Sequence, residues 1–227
     1  MSIKLISPVA VVAHDAGAAN LIIGWLKKNP ELEIRLALSG PALKLFLDEF
    51  VSIDNLTLHE SLDGAAVLLS GTSGFAKIEH EARILAQKNK IPSIGVVDHW
   101  VNYKIRFEYK GKSVLPDEIW VTDEYAYSMA QSYFPKSRIK LKINDYLQLL
   151  IEQINAIAKT SRPSNKTHIL YVLEPIKESW ENSNIPSEFQ ALDYFLSNLS
   201  LLELTSDIEI RLRLHPSESV DKYIEWC

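Results

Sequence analysis

Apolar residues fall along the first two thirds of the chain in short blocks that are mostly unbroken, which is the pattern of strands buried on both faces. Pro8 to Ala13 (PVAVVA), Glu33 to Leu38 (EIRLAL), Ala65 to Ser70 (AAVLLS), Ile94 to Val97 (IGVV), Pro116 to Thr122 (PDEIWVT) and Arg138 to Lys142 (RIKLK) are the predicted strands, with a further short one at Leu56 to Leu58. Between them the period lengthens to that of a helix. LIIGWLKK places Leu21, Ile22, Trp25 and Leu26 on one side. Ala42 to Phe50 follows Ser39-Gly40-Pro41, with proline where a helix start tolerates it. A third helix lies between Gly74 and Pro92, with Ile78, Ala82 and Leu85 on its apolar stripe and Glu79, His80, Glu81, Arg83 and Lys88 off it. Asp123 is placed to cap a fourth, Glu124 to Tyr133, which ends before Pro135. Strand and helix in strict alternation predict an α/β fold, a Rossmann-like parallel sheet with right-handed crossovers and helices on both faces.

The pattern changes after Lys142. Tyr146 to Ala158 reads as an amphipathic helix and Lys159 to Thr167 (KTSRPSNKT) as a polar, proline-containing linker. Three segments result: 1–143 as an N-terminal Rossmann-like domain, 144–166 as helix and linker, and 167–227 as a partial second Rossmann-like unit. The last holds strands at Ile169 to Leu173 and Ile208 to Leu214, a helix from Pro186 or Ser187 through Leu202, and another over Asp221 to Trp226. Two strands are too few for a self-standing sheet, so this unit either packs on the first domain or is truncated at its C-terminus.

Composition narrows the class. Hydrophobic residues make up 47% of the 227 and charged residues 23%, enough to build a full core. The formal charge of −5 argues against nucleic acid as a partner, because a basic face is needed to displace counterions from phosphates. Cys227 is the single cysteine, so no disulfide framework exists, and a reducing, cytoplasmic setting is expected. No apolar run reaches the roughly 20 residues of a membrane span.

Candidate chemistry gathers at predicted strand tips. Ligands of open α/β sheets bind outside the carboxyl ends of the strands. Three tips carry polar or small residues: His14-Asp15-Ala16-Gly17-Ala18-Ala19-Asn20, Gly71-Thr72-Ser73-Gly74, and Asp98-His99-Trp100. The first has one glycine where a dinucleotide fingerprint needs three, and Asp15 or Asn20 could simply cap the helix. His99 could equally be a core histidine bonded to Asp98. Beyond Trp100, the basic residues Lys104, Arg106, Lys110 and Lys112 alternate with Tyr103, Phe107 and Tyr109. That stretch suits either an anion or sugar site, or a solvated loop or hairpin. Glu79-His80-Glu81 lacks the i, i+4 spacing of a zinc helix, so no metal is expected.

HDAGAAN, the GTSG and DHW tips, and RLHPSE after the strand ending at Leu214 together resemble bacterial glycosyltransferases of the GT-B fold, of the sialyltransferase-like or capsule-polysaccharide type. The resemblance implies an enzyme that needs no metal or resident cofactor and moves a sugar from a nucleotide sugar to a glycan or lipid-linked surface-polysaccharide acceptor. It implies that His215, with Pro216, Ser217 and Glu218, lies on the donor phosphate, and that the N-terminal domain takes the acceptor. Inverting transfer needs a general base, for which Asp15 is the first candidate and Asp98 the second, with His14 and His99 as orienting or acid/base groups. Gly17, Asn20, Gly71 to Gly74, Trp100, Lys104 and Arg106 are the expected substrate contacts. A sugar-nucleotide epimerase or hydrolase, or a non-catalytic binding module, fits the same fold, and self-association is left open.

Overall fold

The computed structural model describes residues 2–74, 76–157, 166–174, 187–204, 207–215 and 218–226, and the chain divides into two units, 1–158 and 159–227. In the first unit the elements run β1 (Val9–Ala13), α1 (Ala16–Lys27), β2 (Ile34–Leu38), α2 (Gly40–Glu49), α3 (Leu58–Leu62), β3 (Val67–Ser70), α4 (Lys77–Asn89), β4 (Ser93–Val96), a small hairpin β5 (Glu108–Tyr109) and β6 (Lys112–Ser113), β7 (Glu118–Val121), α5 (Glu124–Tyr133), β8 (Arg138–Leu141) and α6 (Asp145–Ala156). Six strands form one parallel sheet in the order β2-β1-β3-β4-β7-β8. The Rossmann-like α/β expectation therefore holds for this unit.

Every residue of β1 is buried, which is why its sequence is an apolar block without alternation. Alternate side chains serve opposite layers. Val9, Val11 and Ala13 join the core with α1 and α2, whereas Ala10 and Val12 join Leu62, Ala82 and Ala86 of α3 and α4. At the far side of the first layer Trp25 meets Trp120 edge to face, with ring centroids 5.2 Å apart, and Lys142 lies over Trp120 at 4.8 Å. The indole of Trp25 donates to Ile143 O at 2.7 Å, fixing the turn into α6. At the amino edge the buried carboxylate of Glu118 accepts from Ile3 N, Ser2 Oγ and Trp120 Nε1. Burial alone would raise this carboxyl, but the three hydrogen bonds outweigh it and hold it below the usual glutamate value.

Two expectations are corrected. Leu56 to Leu58 is not a strand. Only Asn55 makes an isolated bridge to Leu36, and Thr57 opens α3 through a capping box with Glu60. The polar side predicted for the third helix is also wrong in part: Glu79, His80 and Arg83 of α4 are buried, while Ile84 is exposed.

In the second unit β9 (Thr167–Val172) and β10 (Ile208–Arg213) form a two-stranded parallel sheet, with α7 (Ser187–Ser197) between them in sequence. Leu173, Leu192 and Tyr223 are its buried centre, and Tyr171, Phe189, Phe195 and Leu212 pack around them. The helix expected through Leu202 ends as α7 at Ser197, and 3-10 turns cover Leu199–Leu202 and Val220–Trp226. Most of the expected linker lies outside the described residues. Among the described residues no helix is long and apolar enough to cross a membrane.

Candidate functional site

The chain leaves β1 for β2 on one side and returns to β3 on the other, so the strand order reverses between β1 and β3. A crevice opens at such a point beyond the carboxyl ends of the strands. His14 and Asp15 stand at the tip of β1, Gly71 to Gly74 follow β3, and Asp98 to Trp100 follow β4. Three segments that are far apart in sequence are thus brought to one edge.

Asp15 is the N-cap residue of α1 but its side chain makes no capping bond. Its Oδ1 lies 2.7 Å from His14 Nδ1 instead. A carboxylate partner requires the proton on Nδ1, so His14 donates. Both side chains are partly open, at 37% and 48% exposure, and available to a ligand. The His14 backbone is held on both sides. Its carbonyl accepts from Ala42 N at 2.9 Å, and its N–H donates to Glu79 Oε1 at 2.9 Å.

Glu79 is fully buried, and its second oxygen accepts from Ser73 N at 2.5 Å. One carboxylate therefore bridges the tip of β1 and the loop after β3. Gly71 is needed beneath it, since a Cβ there would fall 2.1 Å from Glu79 Oε1. One turn along α4, buried Arg83 donates to Gly71 O, Val114 O and Arg106 O, so helix and loop are clamped through donors and acceptors alike. Burial raises the Glu79 carboxyl to about 7, against the pull of the Ser73 and His14 amides and of Arg83, with Asp15 adding to the rise. Burial lowers Arg83 to about 10, so it stays charged at neutral pH.

Asp98 accepts from Arg106 NH1 at 2.6 Å, and Arg106 also donates to Val101 O. The carboxylate sits so close to the first turn of α1 that a Cβ on Gly17 would lie 1.6 Å from Asp98 Oδ2. An anion at a helix N-terminus is favourable, and here the chain supplies it. His99 is exposed, and its Nδ1 accepts from Trp100 N; it is not a core histidine bonded to Asp98. The Trp100 indole donates to Asp123 Oδ2 at 3.0 Å while Asp123 Oδ1 caps α5, which leaves the ring oriented and 52% exposed beside Tyr125.

Other expected contacts serve the scaffold. Thr72 is buried and donates to Val96 O at 2.6 Å. Gly74 backs onto Ile105, and Asn20 is half-buried in the second turn of α1. Lys104 is exposed, and the basic stretch is a 3-10 turn followed by the β5–β6 hairpin. In the second unit His215 is half-buried at the end of β10, and its carbonyl accepts from Glu218 N. Glu218 bonds Lys222 and Tyr223. Pro216 and Ser217 lie outside the described residues.

No protein-family model, curated protein or solved structure matches the chain. A concavity of about 450 Å³ lined by Ile3, Gln87, Lys90, Pro92, Asp117 and Arg138 lies at the opposite, amino edge of the sheet. The His14–Asp15 edge is the candidate site because it presents a directly bonded imidazole–carboxylate pair that is partly exposed. Glu79 and Arg83 are its unexpected members. The signal for them is Glu79-Ala82-Arg83-Ala86, an i, i+3, i+4, i+7 set in which two alanines let the helix approach the sheet closely.

Proposed function

We propose that the protein is a glycosyltransferase that moves a sugar from a nucleotide sugar to a surface-polysaccharide acceptor, with the acceptor held at the His14–Asp15 edge of the first unit. The observation that supports an acceptor there is electrostatic. A Rossmann-like domain that holds a nucleotide offers phosphate the first helix N-terminus and nearby loop amides. Here Asp98 sits at the start of α1, and Glu79 takes the His14 and Ser73 amides. Both positions already hold a carboxylate, which disfavours phosphate and suits a hydroxyl-rich acceptor.

In this reading Asp15 takes the proton from an acceptor hydroxyl as that oxygen bonds the anomeric carbon of the donor sugar. The bond from that carbon to the nucleotide phosphate breaks, and its electron pair leaves with the phosphate. His14, bonded to Asp15, orients the carboxylate and spreads the charge that changes during the step. Asp98 is less suited to be the base, since Arg106 occupies one of its oxygens.

Nucleotide release from CMP-, UDP- and GDP-sugars, with and without glycan acceptors, is the direct assay. Asp15→Ala should lower turnover by roughly 10²- to 10⁴-fold with folding kept. His215→Ala should lower it as well, through weaker donor binding. Wild-type rates in both variants would remove these residues from the mechanism. Nucleotide sugar consumed equally well without acceptor would indicate an epimerase or hydrolase.

A further inference from the structure

Glu79 is absent from the chemistry just described, yet it touches both sides of the crevice. Its two oxygens bond the amides of His14 and Ser73, at 2.9 and 2.5 Å, and nothing of its side chain is exposed. A buried carboxylate is costly unless its acceptor capacity is filled, and these amides, which belong to different strand tips, fill it. No neutral side chain reproduces this pairing: glutamine has one acceptor oxygen, and its amide group would point a donor at an N–H. The two amides therefore favour an ionised carboxylate, whereas burial favours a protonated one.

We infer that Glu79 is a positioning residue for the His14–Asp15 pair, and that a proton on Glu79 releases one of its two amide bonds and lets the tip of β1 shift against the loop after β3. This rests on the acid/base reading of His14 and Asp15. The groups that face Glu79 set when the change occurs. Arg83, on its own helix, favours the charged form; Asp15, from the tip of β1, opposes it; the Ser73 and His14 amides favour it; and burial opposes it most. Asp98 lies at the neighbouring turn of α1, paired with Arg106. With the carboxyl at about 7, the two arrangements exchange near neutral pH. A protonated carboxyl has an O–H to place and a weaker acceptor at that oxygen, so it cannot hold both amides as the carboxylate does.

The test starts with the wild-type chain. Backbone amide NMR shifts of His14 and Ser73 are followed from pH 5.5 to 8.5. Both amides should move with one midpoint near 7. In Glu79→Gln that common movement should vanish. Amides that stay fixed across the range in the wild type, or that move with the same midpoint in a folded Glu79→Gln protein, overturn the inference. If that variant does not fold, the wild-type amide titration alone decides. Where nucleotide release is measurable, the wild-type rate should fall on the acid side of about pH 7, and Glu79→Gln should lose that limb and run on the order of 10- to 100-fold slower at pH 8. A merely structural role would lower the rate without changing the profile. Nucleotide release decides the transferase reading, whereas the two titrations decide the part of Glu79 whatever the reaction.

Discussion

Glu79 makes the stability of the chain depend on pH in an unusual direction. Its ordinary value is 4.5, and the folded chain raises it to about 7. Between those values the folded state holds a proton that the unfolded chain releases. The contribution of this group is therefore fully present below about pH 4.5 and is lost as pH rises through 7, a change of about 3 kcal/mol. Urea melts at pH 5 and pH 8 should show the wild type losing stability relative to Glu79→Gln over that interval, and parallel curves would contradict it. Polar residues at the strand tips were legible in the sequence because small residues and turns expose them. Glu79 and Arg83 were not read as buried: charged residues beside an apolar stripe are normally solvated, and the Ala82–Ala86 spacing that lets this helix approach the sheet is a weaker signal than the charges beside it. Arg106, expected to meet an anion, is spent on Asp98, a contact eight residues away that composition cannot reveal.

Elements were legible where burial on both faces left no ambiguity. β1, β3, β4 and β7, buried throughout, follow from their mostly apolar blocks, whereas the edge strand β8, which has no buried residue, alternates charged and apolar positions. The failure at Leu56 to Leu58 has a local cause: three residues carry too little period to oppose the Thr57-Leu58-His59-Glu60 box, whose side chains satisfy each other's backbone donors. Thr57→Ala should cost about 1 kcal/mol, read from chemical denaturation, and Thr57→Ser should cost much less. No change in Thr57→Ala would mean that packing of Leu62 alone holds α3. The last helix of the first unit follows a different rule. α6 has the expected amphipathic period, yet Leu147, Leu150, Ile151, Ile154 and Ile157 are all exposed within that unit. Sequence period identifies the apolar face of a helix but not what covers it.

For the whole molecule, the two units differ in how much core each owns. The first has a full sheet with apolar layers on both faces, whereas the second has one strand pair and a buried centre of Leu173, Leu192 and Tyr223 among the described residues. Fragment 1–158 should therefore fold alone with a cooperative thermal transition, and fragment 159–227 should show weak, broad unfolding by circular dichroism. A sharp transition in the smaller fragment would mean that its core is larger than those three residues. The second unit begins at Lys159, where the polar, proline-containing stretch begins, and the two strands read beyond it in the sequence are the two that pair there.

Trp25, Trp100 and Trp120 are the tryptophans of the first unit, and they are placed very differently. Trp25 and Trp120 are shielded against one another in the interior, whereas Trp100 stands in solvent at the crevice edge. Light emitted by fragment 1–158 thus has two sources, a pair that iodide cannot reach and a single ring that it quenches on contact. The quenched portion of the emission reports on the crevice alone, so a bound molecule can be followed by the shielding it gives one indole, without label or turnover.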